Sequence, residues 1–308
     1  MNADFQLRTT AGLVASLALL LASGCANYGR VASTIGTEPA RGIQLFEASI
    51  GSVDDLKMFI DTGVDPSVVD EAHARRLGLP IDDTRVGEAE GSGDGEGLAV
   101  RFSSISGLNI AGVNVETFDA LAADLSGFGS ALGVDLVAIL GHSFLKDRVV
   151  RIDYRTNELS VSDTAGNLPP LSIGVRERTE LPFKANSDED PIPVFEMTLD
   201  GQAFQVSLDT GKSGGVEFFG SLEERLQLAN ALRGGEQVTA RGARGEREVL
   251  SGQVDGLAIN SLQLGSTPAS IGQRASDGGL REANAGNATF AGMVITIDYP
   301  NSRLVLER

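Results

Sequence analysis

The tripeptide Asp-Thr-Gly occurs twice, at 61–63 and 209–211, each time directly behind a short apolar run. The neighbourhoods repeat as well. "KMFIDTGVD" at 57–65 answers "QVSLDTGKS" at 205–213, with Asp209 lying 148 positions after Asp61. Upstream, "IQLFEASI" from Ile43 matches "IPVFEMTL" from Ile192 at an offset of 149. Downstream, "GLNIAGVNV" from Gly107 matches "GLAINSLQL" from Gly256, again at 149, and "VVRIDYRTNEL" from Val149 matches "VITIDYPNSRL" from Val294 at 145. Four blocks in one order at nearly constant spacing point to a tandem duplication of a unit of about 120 residues. The "GKS" at 211–213 also ends like a phosphate-binding loop, but that loop needs Gly five residues before its Gly-Lys pair. Val206 stands there, inside an apolar run.

Each unit reads as mostly β. Ile43–Ile50 and Val194–Leu199 have strand length and apolar character, and Met58–Ile60 and Phe204–Leu208 lead into the two Asp-Thr-Gly turns. Leu108–Val115 and Leu257–Leu264 alternate as half-buried strands do. Short helices are expected over Ser67–Leu77, Ser221–Leu232 and Thr117–Leu125. Residues 163–190, rich in Pro, Asn and acid, read as loop. The expected division is 1–24 signal peptide, 25–41 tether, 42–165 lobe one, 166–190 connector and 191–308 lobe two.

A formal charge of −17 argues against a nucleic-acid partner, whose phosphates need a basic face. The apolar run "AGLVASLALLLAS" at 11–23 is too short to span a bilayer but suits a signal-peptide core. It ends at "LASGC", which resembles the lipobox of bacterial lipoproteins and implies lipidation of Cys25. The resemblance, with Ala26 following, implies the periplasmic face of the outer membrane, and the lipid is then the expected membrane contact. Cys25 is the only cysteine, so no disulfide within the chain and no cysteine metal site can form.

With its paired Asp-Thr-Gly, the chain resembles the aspartic peptidases of the pepsin and retropepsin clan, most closely the bacterial retropepsin-like proteins. In that family a hydrophobic-hydrophobic-Gly motif follows each Asp-Thr-Gly. Lobe one has "AILG" at 138–141. Lobe two has "NAGNATF" at 284–290, where Gly286 stands for Gly141 while Asn284 and Ala285 replace Ile139 and Leu140. The resemblance spans nearly all of 42–308. It implies an all-β chain with a few short helices, two tandem retropepsin-like β-barrel lobes forming a bilobal acid-protease architecture, and a monomer whose lobes form an internal pseudo-dimer. It implies a peptide or protein substrate and no cofactor or metal.

Peptide hydrolysis without a metal or covalent nucleophile needs one group to activate water and another to protonate the carbonyl oxygen. Two carboxyls about 3 Å apart can do both, because they share one proton. By resemblance, Asp61 and Asp209 form that dyad, Thr62 and Thr210 cross-link the two turns, and Gly63 and Gly211 let backbone amides reach the carboxyls. Two departures stand out. Val64 offers no hydroxyl to an ionised carboxylate, so the pair is expected to titrate higher than in pepsins, and Lys212 could force both aspartates to ionise.

The family's hairpin flaps would fall at 87–97 and 240–248, with Glu90, Gly91, Gly93, Gly242 and Arg244 against substrate. Their charges are opposite, Glu88, Glu90, Asp94 and Glu96 against Arg241, Arg244 and Arg247, which suggests tips that attract across the groove. The "GSGDGEG" stretch lacks the repeat of a calcium-binding β-helix. His73 and His142 show no partner carboxylate or cysteine at ligand spacing, which disfavours Ser-His-Asp and zinc chemistry. An inactive bilobal peptide-binding lipoprotein of the same fold is the alternative, favoured by Lys212 and "NAGNATF". A third arrangement pairs lobe one between two chains.

Overall fold

The computed structural model describes residues 34–89, 97–162, 168, 174–242, 245–272 and 279–308. They form three sheets with a few short helices, and the chain is all-β in class. The first half builds a ten-stranded sheet in which Val53–Ile60 lies between Ile43–Ile50 and Leu136–Leu140. The second half builds an eight-stranded sheet in which Gln202–Leu208 lies between Pro193–Leu199 and Ala283–Ala285. There Pro193–Leu199 also pairs with Gly245–Ile259, curling the sheet back on itself.

The third sheet belongs to both halves. Its six strands run Ile35–Gly36, Glu158–Val161, Val149–Asp153, Val294–Asp298, Arg303–Glu307 and Arg178–Pro182. At its centre Val149–Asp153 pairs antiparallel with Val294–Asp298, symmetrically about the Arg151–Thr296 pair. Both central strands are buried along their whole length, polar residues included. Arg151 accordingly donates to the Thr296 hydroxyl at 3.0 Å, and Asp298 takes Arg303 at 2.8 Å. One apolar core runs through all three sheets, joining Phe46 and Met58 of the first half to Phe195, Phe204 and Ile295 of the second. Each fully buried side chain of that size contributes about 1.5–3 kcal/mol, so the halves cohere as one unit.

Several local expectations change. Residues 166–190, read as a connector, supply the strands Arg178–Pro182 and Lys184–Ala185. The tether supplies Ile35–Gly36 and Glu38–Ala40. Thr117–Leu125 contains a strand, Phe118–Ala123, in place of the expected helix. It pairs in parallel with Ser67–Asp70, and for that reason the helix expected from Ser67 begins only at Glu71. Asp70 caps that helix by accepting from the His73 amide at 3.0 Å. Local helix preference yields here to ladder pairing that buries Phe118, Ala120 and Ala122. In the second half, Ser221–Leu232 holds only a 3₁₀ turn, Gly220–Leu222, and the short helix Leu228–Ala231.

The halves also meet at the two Asp-Thr-Gly turns. The Thr62 hydroxyl donates to the Leu208 carbonyl at 2.7 Å, and the Thr210 hydroxyl to the Ile60 carbonyl at 2.7 Å. Each hydroxyl also accepts the other threonine's amide, Thr62 N to Thr210 Oγ1 at 3.1 Å and Thr210 N to Thr62 Oγ1 at 3.2 Å. All four bonds are buried, so water cannot replace a lost partner. Thr62→Val and Thr210→Val are each expected to cost about 1–3 kcal/mol in urea unfolding. The double variant should lose less than the sum, because the two hydroxyls form one network. Additive losses would mean that the bonds act independently.

Candidate active site

Two equivalent constructions deliver Asp61 and Asp209. Each follows a strand flanked in parallel by a second strand, Ile60 opposite Leu140 and Leu208 opposite Ala285. The Asp61 amide donates to the Leu140 carbonyl and the Asp209 amide to the Ala285 carbonyl, both at 3.0 Å. Behind each turn a glycine is packed against backbone. A side chain at Gly141 would collide with the Val64 carbonyl, and one at Gly286 would lie 2.6 Å from the Lys212 carbonyl oxygen. The next residue's amide bonds to that same carbonyl at 2.8 Å in both halves, His142 to Val64 and Asn287 to Lys212. "NAGNATF" therefore keeps the backbone role of "ILGHSFL" despite its different side chains.

The two carboxyls come together. Gly63 donates its amide to Asp61 Oδ1 at 2.7 Å, and the Gly211 amide also reaches the Asp61 carboxyl. A Cβ at Gly63 would sit 3.3 Å from the Asp209 carboxyl carbon, and one at Gly211 would overlap the Asp61 carboxylate. Neither residue has a positive φ, so closeness is the constraint: it requires glycine at 211, and at 63 a side chain would press against both carboxyls. Burial raises the Asp61 carboxyl well above the ordinary carboxylate value, to about 8, helped by the charge of Asp209 and a side-chain hydrogen bond with it. The two glycine amides oppose that rise without cancelling it. Both aspartates keep partial exposure, so the pair faces an opening.

Asp209 has a partner that sequence reasoning missed. Asn284 donates from Nδ2 to Asp209 Oδ2 at 2.7 Å and accepts from the Ser207 hydroxyl at 2.9 Å. Neither Val64 nor Lys212 has a hydroxyl to give, and Asn284 supplies one carboxyl with a donor from a neighbouring strand. The only signal in the sequence was a polar residue where the other half has Ile139.

Lys212 is also accounted for. Its Nζ lies 2.9 Å from Glu217 Oε2, and Arg247 Nη2 lies 2.8 Å from the same oxygen. Glu217 is 3 % exposed, Lys212 22 % and Arg247 18 %. Burial would push the Glu217 carboxyl up, but the two cations outweigh it and hold the group below its ordinary value. The sequence signal for Glu217 was a lone acid inside the apolar strand "VEFF".

Of the expected flap residues, Glu90, Gly91, Gly93 and Arg244 lie outside the described residues, as do Asp94, Glu96 and the lipidation candidate Cys25. Gly242 pairs with Gly245 at the end of the hairpin formed by Arg233–Gly242 and Gly245–Ile259. The described flap charges do not meet across the groove. Glu88 accepts the Gly97 amide of its own hairpin, and Arg247 turns to Glu217. The histidines do have carboxylate neighbours, contrary to the spacing argument. His73 Nδ1 lies 2.9 Å from Asp70 Oδ1 and its Nε2 3.1 Å from Asp135 Oδ2, beside a cavity of about 540 Å³, while His142 Nδ1 is 3.4 Å from Asp65. With both ring nitrogens of His73 facing carboxylates, neither faces a serine as a triad would need.

A family model described as "Aspartyl protease" matches residues 46–144. That segment, which includes Asp61 and the "AILG" motif, is similar to aspartyl-protease domains. No curated protein matches the chain. Among solved structures, basic 7S globulin from soybean aligns over 90 % of this chain and 94 % of its own, with 10 % identity and a TM-score of 0.49.

The raised Asp61 carboxyl has a consequence for stability. Asp61 holds its proton to higher pH when folded than when unfolded, so its contribution is full below about pH 4 and is lost as pH rises through about 8. Asp61→Asn removes that loss. Its urea midpoint, measured against wild type, should rise progressively between those pH values, and a constant difference would contradict the raised proton affinity.

Proposed function

We propose that the chain is an aspartic endopeptidase in which Asp61 and Asp209 activate water against a peptide bond. The observation that carries this reading is the pair of hydrogen-bonded carboxyls in one partly open site, with Asp61 raised far enough to hold a proton at neutral pH. Asp61 then carries the shared proton and Asp209 the negative charge, met by a charge-assisted bond from Asn284. Asp209 takes a proton from water as the water oxygen attacks the carbonyl carbon, and Asp61 gives its proton to the carbonyl oxygen. The diol so formed breaks its C–N bond as Asp209 passes its proton to the leaving nitrogen and one diol hydroxyl gives its proton to Asp61, which leaves a carboxylic acid, an amine and a singly protonated pair. The projecting hairpins Ile81–Ala89 with Leu98–Ile105, and Arg233–Gly242 with Gly245–Ile259, suit a peptide bound extended.

The inactive peptide-binding alternative rested on Lys212 and on "NAGNATF". The first is tied to Glu217 and the second preserves its glycine and backbone bonds, so neither favours inactivity. The lipobox-like "LASGC" supports the further proposal that Cys25 anchors the enzyme by lipid in the bacterial envelope, at the periplasmic face of the outer membrane.

Incubation of an unbiased peptide library with wild type, Asp61→Asn and Asp209→Asn tests the reading. Wild type should cleave, with activity falling as pH rises through about 8, and each variant should lose roughly a hundredfold or more. Variants that match wild type at every bond would sink the dyad. Asn284→Leu, which copies the residue type of Ile139, should lower kcat more than it changes KM. It should also move the acidic limb of the pH profile upward, because the singly charged pair loses a donor. An unmoved limb would leave Asn284 a packing residue only.

A further inference from the structure

The two sheets present the same backbone face to the dyad but dress it differently. In the first half, cross-strand pairing sets Phe59, Ile139, Val68, Leu121 and Phe102 in one row. In the second half the corresponding row is Ser207, Asn284, Glu217, Ser270 and Ser251. Residues directly opposite one another share a face of a sheet. Asn284 reaches the Asp209 carboxyl from that face, so Glu217, its cross-strand neighbour, lies on the side of the sheet where the dyad sits. Arg247 is four residues before Ser251 along the same strand, which returns it to the same face, and its guanidinium does meet Glu217. Phe59, Ile139 and Val68 of the first row pack with Leu125, Phe128 and Leu132 of the segment that follows it. The second row instead carries one buried anion and two cations.

Those charges do not balance. Glu217 takes up the charge of Lys212, and Arg247 on the same carboxylate leaves the three-residue cluster with one unit of positive charge. Among the described residues Lys212 Nζ has one hydrogen-bond acceptor and Arg247 bonds through Nη2, so within that set both keep N–H groups unspent. Two cations this close would repel each other without the carboxylate between them. Glu217 thus fixes their positions while they remain 22 % and 18 % exposed. A fixed, partly desolvated pair of donors with surplus positive charge is suited to a carboxylate.

We infer that Lys212 and Arg247, clamped by Glu217, form a subsite for a carboxylate of the bound peptide on the second-half side of the scissile bond. The inference rests on the peptidase reading and adds a substrate class to it, peptides carrying an acidic residue on that side. A carboxylate there completes a four-charge cluster of zero net charge. A glutamine in the same place leaves the positive charge uncompensated, and an aliphatic residue also buries unspent donors.

Calorimetric binding of peptides in which a hydroxyethylene group replaces the scissile bond tests this without requiring turnover. With the C-terminus amidated, glutamate, glutamine and leucine are placed in turn at each position flanking the isostere. Wild type should favour glutamate over glutamine roughly tenfold to hundredfold at a position on one side only, as loss of a hydrogen bond to a charged group implies. Lys212→Met and Arg247→Met should each shrink that ratio, and the double variant, checked for an unchanged unfolding transition, should abolish it. Free-acid peptides serve as a further arm. If the preference appears only with a free C-terminus, the proposal of a side-chain subsite is overturned in favour of terminal-carboxylate capture. Equal affinity for glutamate and glutamine overturns the subsite while leaving the peptidase reading intact. Failure of every isostere to bind, together with no cleavage of the library, overturns both.

Discussion

Two carboxyl groups held in hydrogen-bonding contact cannot both be ionised, and a chain that forces them together must supply the rigidity and pay in stability. Most of what surrounds Asp61 and Asp209 follows from that requirement. The repulsion acts across the boundary between the two halves, so the halves must be tied where it acts. The reciprocal bonds of Thr62 and Thr210 do so within one residue of each acid. Further out, the six-stranded sheet draws strands from both halves, so separating the turns would also break a buried ladder. Glycine at 63 and 211 is part of the same constraint, since a methyl group at 211 would overlap the Asp61 carboxyl and one at 63 would press against both acids.

A symmetric backbone would leave the shared proton without a preferred owner. The side chains break the tie. Asp61 receives the two glycine amides but lies deep enough that protonation is favoured, while Asp209 receives the Asn284 amide from a strand whose counterpart offers only Ile139. Glu217 serves the same end from a different direction. An unpaired ammonium at Lys212 would draw both acids toward ionisation, and the buried carboxylate takes up that charge. The changes that make the second half look degenerate therefore form one connected set: Ser207, Asn284 and Glu217 on one face of its sheet, and Lys212 of the adjoining turn bonded to Glu217.

The paired Asp-Thr-Gly turns, the strands that lead into them and the β class were legible in the sequence because each is local: an apolar run, a turn, a repeat. The interhalf sheet was not legible, because Arg178–Pro182 and Ile35–Gly36 are short strands whose partners lie far away in sequence. Phe118–Ala123 is a strand although its alanines favour helix in isolation, because pairing with Ser67–Asp70 and Leu98–Ile105 reverses that preference. Asn284 and Glu217 fell outside motif reasoning for a related reason. Each was visible as a polar residue in an apolar pattern, but its role depends on a cross-strand neighbour that spacing along the chain does not reveal.

The net charge of −17 limits how such a subsite can act. Long-range steering would repel an acidic peptide, and salt would weaken that repulsion over distances beyond about 8–10 Å. The Lys212–Glu217–Arg247 cluster works at contact distance, partly shielded from water, where screening is slight and pairing is strong. An acidic residue would therefore slow the peptide's departure more than it hastens arrival, and added salt should raise its association rate while changing its dissociation rate little. Selectivity by residence also suits a site that must hold its substrate while a single proton is passed between two acids. The same cations on an exposed hairpin tip would have attracted anions from afar and distinguished them poorly.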